Sequence, residues 1–132
     1  MALTTYNSEE FTATFNLASS LADQAFFVAP YACQVTAVSE VHSTAGTDTN
    51  PVNVQVVKDT GTTAPGGGTD LLTNNSNAGF NLKGTDNTVQ TGTLTGTVAS
   101  LRLAAGDRLS VDFAGTLTAL AGVVVTVALK KI

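Results

Sequence analysis

Charge is scarce in this chain. Charged residues make up 12% of it, about half the share usual in a globular domain. Six Lys and Arg stand against ten Asp and Glu, for a formal net charge of −4. A phosphate backbone is bound by clustered cations that displace counterions, and six scattered basic residues cannot form such a patch, so no nucleic-acid partner is expected. Disorder through self-repulsion is excluded too, because 43% of the residues are hydrophobic. Cys33 is the only cysteine; no intramolecular disulfide can form, and no Cys/His cluster is available for zinc. Tryptophan is absent, and Tyr6 and Tyr31 are the two tyrosines, which leaves a sugar-stacking platform poorly supplied. The most apolar stretch, Leu117 to Leu129, is interrupted by Gly122 and Thr126 and is shorter than the roughly 20 residues a membrane helix needs, so no membrane partner is expected. Met1 to Glu10 has neither the basic start nor the apolar run of a secretory signal. The chain is therefore expected to accumulate in the cytoplasm of the cell that makes it.

What is present is alternation with period two, the signature of half-buried strands. Ala13, Phe15 and Leu17 alternate with Thr12, Thr14 and Asn16. Cys33, Val35, Ala37 and Val41 alternate with Gln34, Thr36 and Glu40. Val52, Val54 and Val56 flank Asn53 and Gln55; Leu101 and Leu103 flank Arg102; Leu109, Val111 and Phe113 flank Ser110 and Asp112; a last run covers Val123 to Lys130. Between the runs lies turn chemistry: Gly-Thr-Asp at Gly46, Gly68 and Gly84, Asn-Pro at Asn50, and Ala104-Ala-Gly-Asp107, which reads as a tight hairpin. Thr60 to Thr69, centred on Pro65-Gly-Gly-Gly68, and Asn74 to Gly79 read as exposed loops, the first of them mobile. About eight short strands over 132 residues fit one antiparallel β-sandwich, jelly-roll-like rather than immunoglobulin-like, since the paired Cys and buried Trp of the latter are missing. The sandwich is assigned to residues 11–132 and an N-terminal arm to residues 1–10.

Reactive chemistry is thin. His42 is the single histidine, and a Ser-His-Asp arrangement would have to draw on Ser39, Ser43, Asp48 or Glu40; on the polar side of its strand it reads as a solvent-facing strand-end residue. Cys33 falls in an apolar register, where a thiol is buried and unreactive. Asp23, Asp48, Asp59, Asp70, Asp86 and Asp107 sit at turns, where aspartate caps backbone amides, so they need not form an acid/base pair. Asp48-Thr-Asn50 lacks the glycine and glutamate of a calcium loop, and Gly66-Gly-Gly68 is followed by Thr-Asp rather than Lys-Ser/Thr, so it is no phosphate loop. The sequence leads us to expect no enzyme, no catalytic residue, no cofactor and no metal.

The surface carries more information. In the final run Val123, Val125, Val127 and Leu129 form one face, while Val124, Thr126, Ala128 and Lys130 form the other, apolar over its first half. A central place in a sheet or a subunit contact would bury that second face. With so little charge to oppose association, an oligomer is expected, with Val124, Thr126 and Ala128 at its interface.

From Ala22 to Lys131 the chain resembles a group of small proteins encoded by tailed bacteriophages and prophages. The resemblance is carried by Phe26-Phe-Val-Ala-Pro30, Val41-His-Ser-Thr-Ala-Gly-Thr-Asp48, Lys58-Asp-Thr-Gly-Thr-Thr-Ala-Pro65, Leu101 to Gly115 and Leu120 to Leu129. It implies a virion structural protein of the capsid decoration or cement type, a homo-trimer on the exterior of the head, with the major capsid protein as partner, made in the host bacterial cytoplasm. The arm would then take part in capsid binding through Leu3, Thr4, Thr5, Tyr6 and Asn7, since it has no evident place in the core. Two other classes make different demands. A host-receptor or glycan-binding module of a tail or head fibre needs exposed aromatics in a cleft, and a hydrolase needs clustered His, Asp or Ser.

Overall fold

Strands whose side chains alternate between apolar and polar can bury one face only if a second sheet covers it, and the chain meets this need with two antiparallel sheets. The computed structural model describes residues 9–17 and 23–132. Its strands are β1 (Glu10–Asn16), β2 (Gln24–Val28), β3 (Cys33–Val41), β4 (Asn53–Asp59), β5 (Thr69–Asp70), β6 (Phe80–Asn81), β7 (Gln90–Thr91), β8 (Arg102–Leu103), β9 (Arg108–Ala114) and β10 (Val124–Lys131). The first sheet runs β1-β10-β3-β7, with β8 also paired to β3; the second runs β2-β9-β4-β5, with β6 also paired to β4. The first four strands alternate between the sheets, and the first strand pairs with the last. This is the jelly-roll form of the sandwich.

The core lies between the sheets. Ala13 and Phe15 of β1, Val35 and Val38 of β3, and Val125, Val127 and Leu129 of β10 meet Val54 and Val56 of β4 and Leu109 and Val111 of β9. Leu71, Leu72, Phe80 and Leu82, from the connections around β5 and β6, complete it. At the β1/β2 side the sheets are joined by aromatic contacts: Phe15 lies 6.0 Å from Phe26 and 5.9 Å from Phe113, and Phe11 lies 5.9 Å from Phe27, spacings at which aromatic pairs add to simple burial.

In β3 the register changes part-way along. Ala128 of β10 is opposite Ala37, but Leu129 is opposite Val35, so Thr36 is an extra residue in the strand. Its hydroxyl donates to the Ala128 carbonyl at 3.2 Å. Such a bulge moves every later side chain to the other face. Cys33 and Val35 point inward before it, and Val38, Glu40 and His42 after it. The expectation of a solvent-facing His42 is corrected accordingly: the ring is 0% exposed, because strict alternation counted from Cys33 misses the bulge. Its Nδ1 lies 2.9 Å from Glu40 Oε2, and its Nε2 lies 3.0 Å from the Gly84 carbonyl oxygen. Gln90 of β7 donates to the other Glu40 oxygen at 2.7 Å. Since both ring partners can only accept, the doubly protonated imidazolium satisfies them both.

The connections bring further corrections. Ala104 to Asp107 is a tight turn, with Asp107 N–H donating to the Ala104 carbonyl and Ala104 N–H to Asp107 Oδ2, but it is not a hairpin: β8 pairs with β3 and β9 pairs with β2 and β4. The turn carries the chain from one sheet to the other. Leu101 ends a helical turn, Val98–Leu101, so only Arg102–Leu103 is strand. The glycine-rich Thr60–Thr69 segment is tied down along its length. Arg108 donates to the Gly61 and Thr63 carbonyls at 2.9 and 2.7 Å, while the Asp59 carboxylate accepts from the Gly66 and Gly68 amides and from the Ser110 hydroxyl. Asn53 and Gln55 do alternate to the outer face of β4, yet they too are buried; the segment after β5 crosses over Gln55, whose Nε2 donates to the Leu72 and Asn77 carbonyls at 2.9 and 2.8 Å.

Burial by itself pulls the His42 pKa down, but the Gly84 carbonyl and the Glu40 carboxylate outweigh it, and the net pKa lies above the ordinary histidine value. Stabilisation from a raised histidine pKa is fully present below the unfolded pKa and is lost as pH rises through the folded one. His42→Asn should therefore cost about 3–5 kcal/mol in urea denaturation at pH 6, the usual loss when one partner of a buried pair is removed. The gap between wild type and variant should narrow as pH rises above the unfolded value of 6.5. A gap that is constant from pH 6 to pH 9 would show that the ring is neutral throughout.

Candidate interaction surface

The bulge that buries His42 also decides what the first sheet presents outward. Three adjacent strands align Thr12, Thr14 and Asn16 of β1 with Ala128, Thr126 and Val124 of β10, and these with Ala37, Ser39 and Val41 of β3. No residue of this grid is charged. The nearest charges on the face form a cross-strand pair at its end, Glu10 opposite Lys130. None of the nine side chains is larger than valine or asparagine, and shallow depressions lie among Ala37, Ser39, Thr126 and Ala128 and beside Thr12. With strands about 4.8 Å apart and same-face residues about 7 Å apart along each strand, the grid measures on the order of 10 by 14 Å.

Val124, Thr126 and Ala128 sit in the middle of this face, each half-buried by its neighbours in the central strand β10. The apolar second face of the last run is thus explained first by a central place in the sheet. Sequence reasoning missed Ala37, Ser39 and Val41 as their neighbours, because strict alternation put Ala37 and Val41 in the core. The break in the pattern at Val38 was the available signal. Leu3, Thr4, Thr5, Tyr6 and Asn7 lie outside the described residues.

The groups that could do covalent chemistry are held apart or sealed. Ser39 faces outward while His42 faces inward, and the Ser43 hydroxyl donates to the Ala121 carbonyl at 3.1 Å. Asp48, Asp86, Asp107 and Asp23 each accept a hydrogen bond from a backbone amide, those of Thr116, Ala45, Ala104 and Phe113 in turn, as turn aspartates do. Asp112, on the outer face of β9, has its pKa raised by burial and then by the charge of Asp23. Among the described residues no three His, Cys, Asp or Glu side chains gather as a metal-binding group, and no helix is long and apolar enough to cross a membrane.

Comparison with known protein families finds no match, and comparison with curated proteins finds none either. A likeness appears among solved structures. The chain is similar in fold to one from the cyanophage Pam1 capsid asymmetric unit. The superposition covers 100% of this chain and 93% of the other, with a TM-score of 0.55 and 12% sequence identity. An identity that low speaks to the fold alone, and the fold is shared from end to end.

Cys33 is 0% exposed, and burial, followed by the charge of Asp107, pushes its thiol pKa up. A buried thiol held in the neutral form is a poor nucleophile. The native protein should leave an aromatic disulfide reagent such as Ellman's unreacted, with one thiol per chain released on unfolding in guanidinium; stoichiometric reaction in the native state would place the sulfur at the surface.

Proposed function

We propose that this chain is a structural protein of a tailed-phage virion, a decoration or cement protein that sits on the exterior of the head as a homo-trimer against the major capsid protein. The observation that carries this reading is the full-length likeness, at a TM-score of 0.55, to a chain of a phage capsid asymmetric unit. The uncharged grid on the outer face of the first sheet supports it, and the proposed role is not enzymatic. For such a protein function resides in surface complementarity, and a jelly roll supplies a rigid frame for it.

Dimensions constrain how it would attach. A stable interface buries about 800 Å² on each partner, several times the area of the Thr12-to-Val41 grid. We assign the grid to the middle of a larger contact between copies, with Val124, Thr126 and Ala128 along its central strand, and capsid attachment to the arm ahead of β1. Attachment of three linked copies would strengthen each arm's binding through effective concentration.

The test is co-sedimentation with capsids of the chain's own phage from which it has been removed. The intact protein should pellet with the shells, and light scattering should give a trimer unaffected by reductant. Removing residues 2–8, short of Glu9 and Glu10 that pair with β10, should abolish pelleting while leaving the trimer and the circular dichroism spectrum unchanged. Ala128→Arg, at the centre of the grid, should dissociate the trimer and weaken capsid binding at least tenfold with the fold retained. Failure of the intact protein to bind any such capsid would end the proposal.

A further inference from the structure

A groove on the second sheet lies on the opposite face of the sandwich from the grid. The Asn53 end of β4 and the β6 strand beside it form the floor of this groove of about 630 Å³, walled by Pro51, Ala78 and Asn75 and edged by Lys83. Asn53 and Asn81 are directly opposed in the β4/β6 pair, so their side chains lie on the same face, about 5 Å apart at Cβ. Asn53 is 9% exposed, and its amide enters none of the side-chain hydrogen bonds formed among the described residues. No polar side-chain atom there is both sealed from solvent and unpartnered, so the Asn53 amide opens into the groove.

The other groups of the groove have capacity to spare. Asn81 Oδ1 accepts from the Lys83 amide at 2.9 Å, which leaves its NH₂ free. Asn75 Nδ2 donates to the Gly79 carbonyl at 2.7 Å, which leaves its oxygen free. Lys83 is in no ion pair among the described residues; nearby Asp48 feels its charge but bonds to the Thr116 amide. The Asn75 wall is held firmly. Asn75, Ser76 and Asn77 all have left-handed backbone, at φ 53°, 56° and 70°, a conformation that L-residues rarely adopt in succession. It is fixed by the Gln55 bond to Asn77 and by Asn74 Oδ1, which accepts from the Thr93 amide at 2.8 Å. The groove thus offers preset amide donors and acceptors, one cation and small apolar walls.

From this geometry we infer that the groove is a saccharide-binding site. Amide side chains match vicinal hydroxyls, which donate and accept as they do, and Pro51 and Ala78 give a sugar ring its apolar contact. A peptide fits less well, because the floor is a sheet face rather than an open edge, and the lining has no large apolar pocket, aromatic groove or Arg cluster to anchor one. The groove has no aromatic platform, and copies on an assembly would add avidity. The site does not depend on capsid attachment, and the soluble chain suffices to test it.

The full chain, screened against an array of bacterial surface glycans and then titrated with the best-bound oligosaccharide by ¹⁵N-resolved NMR, should show shifts concentrated in the side-chain amides of Asn53, Asn75 and Asn81. Asn53→Leu should weaken binding at least tenfold. Asn75→Gly, which keeps the left-handed turn free of strain and so preserves the fold, should weaken it at least threefold. The inference is overturned if no array glycan binds, if the shifts map elsewhere, if both variants bind like wild type, or if an Asp- and Glu-rich tetrapeptide moves the same amides while the glycan does not.

Discussion

One extra residue in β3 governs much of the molecule. Thr36 bulges where Ala128 hands over to Leu129 along β10, and the change of register has opposite effects on the two faces. Inward it brings Glu40 and His42 into the sandwich, where a carboxylate, an imidazolium, the Gly84 carbonyl and the Gln90 amide satisfy one another. Outward it brings Ala37, Ser39 and Val41 into line with Val124, Thr126 and Ala128. Without the bulge, Glu40 and His42 would interrupt this face with charge and Ala37 and Val41 would enter the core. The buried pair and the uncharged face thus have a common cause, and the pair helps to hold the register because a slip would leave its members unpartnered.

The second sheet is organised differently. Its outer face is covered by the connections around β5. Asp59 and Arg108, opposite one another in the β4/β9 pair, fasten the glycine-rich segment from either side: the carboxylate takes its amides and the guanidinium its carbonyls. Further along the same strand Gln55 holds the next part of the connection through the Leu72 and Asn77 carbonyls. Only at the Asn53 end does the cover stop, and there the strand's amide is left open. The two sheets therefore offer different surfaces, one centred on small uncharged side chains, one sculpted and rich in amides.

Much of this was legible in the residues. Period-two runs located β1, β3, β4, β9 and β10, and the fold class followed from their number and spacing. Asp23, Asp48, Asp86 and Asp107 behave as turn aspartates, whereas Asp59 ends β4 and Asp70 lies in β5; Cys33 is where its register put it. β2 was not legible, since Gln24–Val28 has two adjacent phenylalanines that are both half-buried rather than an alternating set. The hairpin at Ala104–Asp107 was misread because a tight turn looks the same whether it joins neighbouring strands or crosses between sheets. The anchored glycine loop and the buried Gln55 were hidden because their partners lie 40 or more residues away for Arg108 and 17 or more for Gln55. Of the candidate surface, the central strand was visible and its neighbours in β3 were not, since a bulge leaves only a break in alternation.

The proposed role rests on a rigid sandwich whose uncharged grid meets other copies and whose arm meets a shell. Hydrogen–deuterium exchange tests it most directly, comparing the chain diluted to monomer, the chain at assembly concentration, and the chain on capsids. The account predicts new protection of β1, of Ala37 to Val41 and of Val124 to Ala128 on self-association, and further protection of residues 1–8 only on the capsid. Protection confined to the outer side of the second sheet, or none in either comparison, would contradict it.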